Sequence, residues 1–146
     1  MCIRDRIESV RANLADQSQP VLGAVLATLT SELEVLTEGG KASAQHMAGV
    51  TRFGALLESS PTLLDHRRRY LQQLTAVIRT ALVERFGTHE DDPATQITAE
   101  ALAGLFTVFY RSLARHAPRH NAAQTRRRVR ADIRQAARRL AEGLTD

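Results

Sequence analysis

A chain of 146 residues, 43% of them hydrophobic and 25% charged, suits one domain that buries roughly two-thirds of its unfolded surface. No run approaches the ~20 apolar residues of a membrane span, and the single cysteine excludes an internal disulfide framework. The formal charge of +4 is unevenly spread: Arg111 to Asp146 holds ten arginines against three acids, so the remainder of the chain carries −3.

Residues 1–6, Met1-Cys2-Ile3-Arg4-Asp5-Arg6, match poorly with the helical pattern that begins at Ile7 and read as a scar of gene assembly or truncation. They are too short and too charged for the apolar core of a secretory signal, and with a lone cysteine the expected location is cytoplasmic. Ile7 to Asp16 reads as a helix tail with Val10 and Leu14 four apart. Pro20 suits the first turn of a second helix, where its missing N–H costs nothing. Leu22, Val25, Leu26, Leu29, Leu33 and Leu36 then share one face, and Gly39-Gly40 supplies the stop.

A third helix over about 43–58 aligns Met47, Val50, Phe53, Leu56 and Leu57. Gly49 and Gly54 lie within it, each weakening an exposed helix by ~1 kcal/mol relative to Ala. They point to close packing, a bend or room against the backbone, or are small residues tolerated at a helix contact. Ser60 as N-cap and Pro61 as first residue open the fourth and longest helix, which runs to Gly87. Its stripe is Leu64, Tyr70, Leu71, Leu74, Val77, Ile78, Ala81, Leu82 and Phe86.

After an acidic loop, Asp92 caps a fifth helix with Ile97, Ala101, Leu102, Leu105, Phe106, Phe109 and Leu113 inward, and Pro118 stops it. Asn121 with Gln124 forms a capping-box pattern for the last helix, whose apolar line is Val129, Ile133, Ala136, Ala137, Leu140 and Leu144. Short links favour antiparallel neighbours, so the predicted fold class is all-α, an antiparallel bundle of about six helices.

Catalytic patterns are missing: the sequence has no nucleophile elbow, phosphate-binding glycine loop, paired-cysteine zinc motif or His-Glu-x-x-His. His116 and His120 stand four apart, but Pro118 between them breaks the helix that such metal spacing assumes. His46 and His66 lie near apolar stripes, as polar anchors of a pocket or as ordinary half-buried histidines. The expectation is no enzyme, no cofactor and no metal. The last helix carries Arg126, Arg127, Arg128, Arg130, Arg134, Arg138 and Arg139 without an interleaved aromatic residue. That pattern reads as a solvated face with Arg stems on apolar surface, as an interface rim, or as a phosphate-binding face without base stacking.

Leu56-Leu57-Glu58-Ser59-Ser60-Pro61-Thr62-Leu63-Leu64, the long helix through Leu82-Val83-Glu84-Arg85-Phe86-Gly87, and Ala99-Glu100-Ala101-Leu102-Ala103-Gly104-Leu105 carry a resemblance. From Ile7 onward the chain resembles the C-terminal effector-binding and dimerisation domain of TetR/AcrR-family regulators. The family's N-terminal helix-turn-helix, with its aromatic-His-Phe signature, has no counterpart here. DNA binding is therefore implied only for an intact regulator.

The resemblance implies a single helical domain over 7–146, a mostly apolar pocket for a small-molecule effector, and a homodimer formed by helices in 92–144. Leu26, Leu29, Met47, Val50, Phe53 and Leu57 are candidate lining residues, as are Leu74, Phe106 and Tyr110, with His46 and Tyr70 as polar anchors. Each reads equally as plain core. Leu102, Leu105, Phe109 and Leu113 would meet a second subunit together with Val129, Ile133, Ala137 and Leu140, through an isologous contact. The function so implied is the ligand-sensing domain of a transcriptional repressor, its subunit arrangement shifted by an effector. The alternative is a stand-alone helical module that binds acidic partners or nucleic acid through the Arg-rich last helix.

Overall fold

Cap chemistry sets the helix boundaries of the computed structural model, which describes residues 3–38 and 41–143 apart from the side chains of residues 3, 41–43 and 46. Six helices and no strand occur among the described residues: α1 (Ile3–Ala15), α2 (Val21–Thr37), α3 (Lys41–Ser59), α4 (Pro61–Phe86), α5 (Pro93–His116) and α6 (Ala122–Glu142). None is long and apolar enough to cross a membrane.

Pro20 stands one residue before α2, and its carbonyl accepts the Ala24 N–H at 3.0 Å. The expected stop at Gly39-Gly40 lies outside the described residues; α2 already ends at Thr37, with Glu38 extended. At α4 the Ser60 hydroxyl accepts from the Leu63 N–H, and Pro61 fills the first position. Gly87 closes α4 at φ 63°, the left-handed conformation in which a side chain would be strained. Asp92 accepts from the Thr95 N–H at 2.9 Å, and Asn121 and Gln124 exchange both bonds of a capping box. Pro118 has no N–H with which to extend α5 beyond Ala117.

The connections after α4 and α5 are short, so those helices fold back on one another. Tyr70 meets Tyr110 across the first turn, and Ser112 meets Asp132 across the second, as antiparallel registers require. α5 lies between α4 and α6 and packs closely on both, while α1 lies on α4 and α2, and α2 on α6. The centre is built from Phe106, Phe109, Leu105, Leu74, Ile78, Leu29 and Val129. α3 packs more thinly: Met47 and Leu57 are buried, Val50 is half-buried, and Phe53 and Leu56 face solvent.

Three residues expected inward on α4 and α5 point outward, Leu64 at 44% exposure and two others further. Phe86, in the last turn of α4, is 67% exposed. Ile97 is 65% exposed because it falls on the α5 face opposite Phe106 and Phe109. Gly49 and Gly54 mark no close contact, since a Cβ at either would meet nothing within 4 Å. Leu144 lies outside the described residues.

Removing the Phe106 ring leaves a cavity at the centre of the bundle. Phe106→Ala is expected to lower unfolding free energy by about 3–5 kcal/mol in urea denaturation, whereas Phe86→Ala stays within about 0.5 kcal/mol of the parent.

Candidate functional site

The apolar residues expected to form an effector pocket are mostly packed against one another. Leu74 and Phe106 are fully buried core, Tyr70, Met47 and Leu57 are buried, and Val50 is half-buried. Phe53 is 53% exposed and encloses nothing. The side chain of His46 lies outside the described residues, and His66 is exposed. Leu26 and Leu29 do line a cleft of about 440 Å³, but with Leu33, Phe109 and Ile133 between α2 and α6 rather than with α3.

The expected dimer residues are covered within the single chain. Leu102, Leu105, Phe109, Leu113, Val129, Ile133 and Ala137 are all buried, and Leu140 is half-buried at the edge. α5 is enclosed by α4 on one side and α6 on the other, so its apolar arc is already satisfied. Its least covered apolar line runs from the exposed Ile97 through the half-buried Ala101, Gly104 and Val108, where a Cβ on Gly104 would meet open space.

A polar junction interrupts the core where α1, α2, α4 and α5 meet. Glu32 falls within the apolar arc of α2, between Leu29 and Leu33, and is only 6% exposed. The Arg6 Nε stands 2.8 Å from a Glu32 oxygen, off the N–H axis, so the pair is ionic without an aligned hydrogen bond. Arg6 also donates to the Tyr110 hydroxyl at 3.3 Å, and the Tyr70 and Tyr110 hydroxyls lie 3.0 Å apart. Arg6 and Arg67 stack on Tyr110, with guanidinium carbons 5.9 and 5.5 Å from the ring centre. Arg6 thus belongs to the packed body, although its sequence context placed it in the scar.

Burial pushes the Glu32 carboxyl above the usual glutamate range, and the Arg6 charge only partly offsets this. It likewise raises both tyrosine hydroxyls, which stay protonated as donors. For Arg6, burial opposes the charge, but Tyr110 and Glu32 outweigh it and hold the guanidinium ionised.

α1 is held at its other end by Arg85, near the end of α4. Its guanidinium donates to the Leu14 carbonyl at 2.8 Å, to the Asp16 carbonyl at 2.9 Å and to the Gln19 carbonyl. These groups close α1 and its turn, where a helix leaves carbonyls without internal partners. Asn13 adds a bond to Thr28 at 2.7 Å. Beside this latch lies a cleft of about 320 Å³ between α1 and α4, floored by Leu14, Ala15, Ala76, Val77 and Ala81 and rimmed by Arg11 and Glu84.

Ser112, His116 and Asp132 come together between α5 and α6. Ser112 donates to Asp132 Oδ2 at 2.6 Å, and His116 Nε2 approaches the same oxygen at 3.2 Å. A nucleophilic triad places the base on the serine; here serine and histidine both address the carboxylate, and Ser112 is fully buried. The cluster pins α6 to α5. His116 and His120 lie ring to ring at 5.8 Å, and no group of three metal-binding side chains forms among the described residues.

Two α6 arginines face α2, Arg126 reaching Thr37 at 2.9 Å and Arg130 standing 3.9 Å from Glu34. Arg127, Arg128, Arg134, Arg138 and Arg139 are exposed, without an ion pair among the described residues. Sequence reasoning missed Glu32 and Arg85 as organisers. The available signal was a carboxylate at an apolar-stripe position and an arginine in the last turn of a long helix. No family model, curated protein or solved structure matches the chain.

A carboxyl whose pKa is raised by folding favours the folded state below its unfolded value, near pH 4.5, and loses that contribution as pH rises through the folded value. Glu32→Gln is therefore expected to flatten the fall in stability from about pH 4 to pH 7, as measured by urea denaturation at each pH.

Proposed function

We propose that this chain is the ligand-sensing and dimerising domain of a TetR-type transcriptional repressor, binding a small, mostly apolar effector that alters operator binding by the intact protein. The reading rests on the resemblance at the α3–α4 corner and is supported by the cleft between α1 and α4. Leu14 and Ala15 floor that cleft, and the Leu14 carbonyl is one of the groups Arg85 holds. A molecule lying there presses on the helix nearest an upstream DNA reader and on the latch that fixes it. Such a ligand acts only through a difference in affinity for two positions of α1.

The cleft has the usual form of a small-molecule site, an apolar floor with a few polar groups at the rim. The homodimer belongs to this proposal with a different face from the one first expected: the least covered α5 line, from Ile97 through Ala101, Gly104 and Val108. DNA enters only through a helix-turn-helix preceding Ile7. A second reading, an interaction module for acidic partners, draws on the exposed α6 arginines and predicts steeply salt-dependent binding of duplex DNA by this chain alone.

Reading the genomic DNA upstream of the Ile7 codon tests the regulator directly. An in-frame helix-turn-helix supports it, and a start codon with no such frame contradicts it. Sedimentation at micromolar concentration is expected to show a dimer, and Ile97→Arg, at an exposed position of that line, a folded monomer. A monomeric parent protein removes the dimer from the account.

A further inference from the structure

Between α4 and α5 runs a cleft of about 550 Å³ whose walls carry Arg67, Arg68, Arg79 and Arg111 against one acid, Glu100. None of the four arginines has an ion pair or side-chain hydrogen bond among the described residues, and Glu100 pairs with none of them. The antiparallel register that joins Tyr70 to Tyr110 brings Arg67 and Arg68 of α4 to the level of Arg111 on α5. Three guanidinium groups therefore gather at one end, with Leu71 and Thr75 beyond them along the cleft.

Arg67 is half-buried with its guanidinium over Tyr110, and it lines the cleft wall. Burial first, and the neighbouring Arg111 second, depress its hold on its proton. Like charges kept together without a counter-ion destabilise a fold by their repulsion. A dianion between them removes that cost, and guanidinium forks match phosphate oxygens in pairs. The same wall supplies apolar surface, since on α4 Leu71 lies one turn beyond Arg67 and Arg68, and Leu64, 44% exposed, one turn before them.

We infer that this cleft is a binding site for a soluble phosphate-bearing amphiphile, with the phosphate between Arg67, Arg68 and Arg111 and the apolar part over Leu71, one turn further along α4. A concave cleft between two helices admits a small molecule, whereas a membrane or a duplex needs charge displayed on a convex face such as that of α6. The inference stands apart from the repressor reading, because this cleft shares no lining residue with the α1–α4 cleft or with the α5 line through Ile97, Ala101, Gly104 and Val108.

The test compares octyl phosphate, inorganic phosphate, phosphatidic acid vesicles and duplex DNA by calorimetry and thermal melting, with the parent chain and with Arg111→Gln. Octyl phosphate is expected to bind at least about tenfold more tightly than inorganic phosphate, from burial of its chain. Arg111→Gln is expected to weaken it about tenfold, the loss of one charge-assisted contact. Without ligand, Arg111→Gln melts at or above the parent temperature, because Arg111 is exposed and its repulsion with Arg67 is gone. A lower melting point in the variant, equal binding by parent and variant, or no preference for octyl over inorganic phosphate overturns the inference. Binding of vesicles or duplex without the soluble amphiphile overturns it as well.

Discussion

The enclosure of α5 on two sides is the constraint on which the rest of this bundle depends. Leu102, Leu105, Phe106, Phe109 and Leu113 form an arc wide enough to need both α4 and α6 as cover. Once that arc is satisfied within one chain, α6 turns its remaining arginines outward. α2 then closes over Phe109 and Ile133, and only α3 is left without deep anchorage. Each large side chain in that arc contributes about 1.5–3 kcal/mol through burial. The polar contacts elsewhere therefore decide position more than existence of the fold.

α1 shows the difference. Val10 and Leu14 enter the core, but the helix is placed by polar groups: Arg85 on the carbonyls at its end, Asn13 on Thr28, and Arg6 on Glu32 and Tyr110. Hydrogen-bonded and ionic contacts of this kind have narrow geometric optima, whereas apolar packing alone tolerates sliding. α1 is thus fixed by directional contacts at its two ends, beside an open apolar cleft. That arrangement, rather than the centre of the bundle, carries the sensing proposal.

Helix order and boundaries were legible because each is marked by local chemistry: Ser60-Pro61, Gly87, Asp92-Pro93, Pro118 and the Asn121–Gln124 box act through their own neighbours. The identity of the partner for each apolar stripe was not legible. Leu105 and Val129 look alike whether they face another helix of the chain or a second subunit, since periodicity gives a face and not its cover. Phe86 and Ile97 misled for different reasons, Phe86 sitting in the last turn of α4 and Ile97 on the α5 face away from Phe106. The Arg67–Arg111 pairing depended on the register across the α4–α5 turn, which residue spacing within either helix does not contain.

Native-state hydrogen exchange across α1 and α5, in the parent chain and in Arg85→Gln, tests most directly the idea that α1 is latched to a body organised by α5. The amides of α5 are expected to exchange only through global unfolding, and those of α1 through a smaller opening of lower free energy. In the variant, the α1 opening falls by about 1.5–3 kcal/mol, the worth of hydrogen bonds from a charged donor, and the α5 opening falls with it, because global unfolding breaks the same contacts, so α1 stays below α5. Equal exchange free energies in α1 and α5, in the parent chain and in Arg85→Gln, would contradict the account.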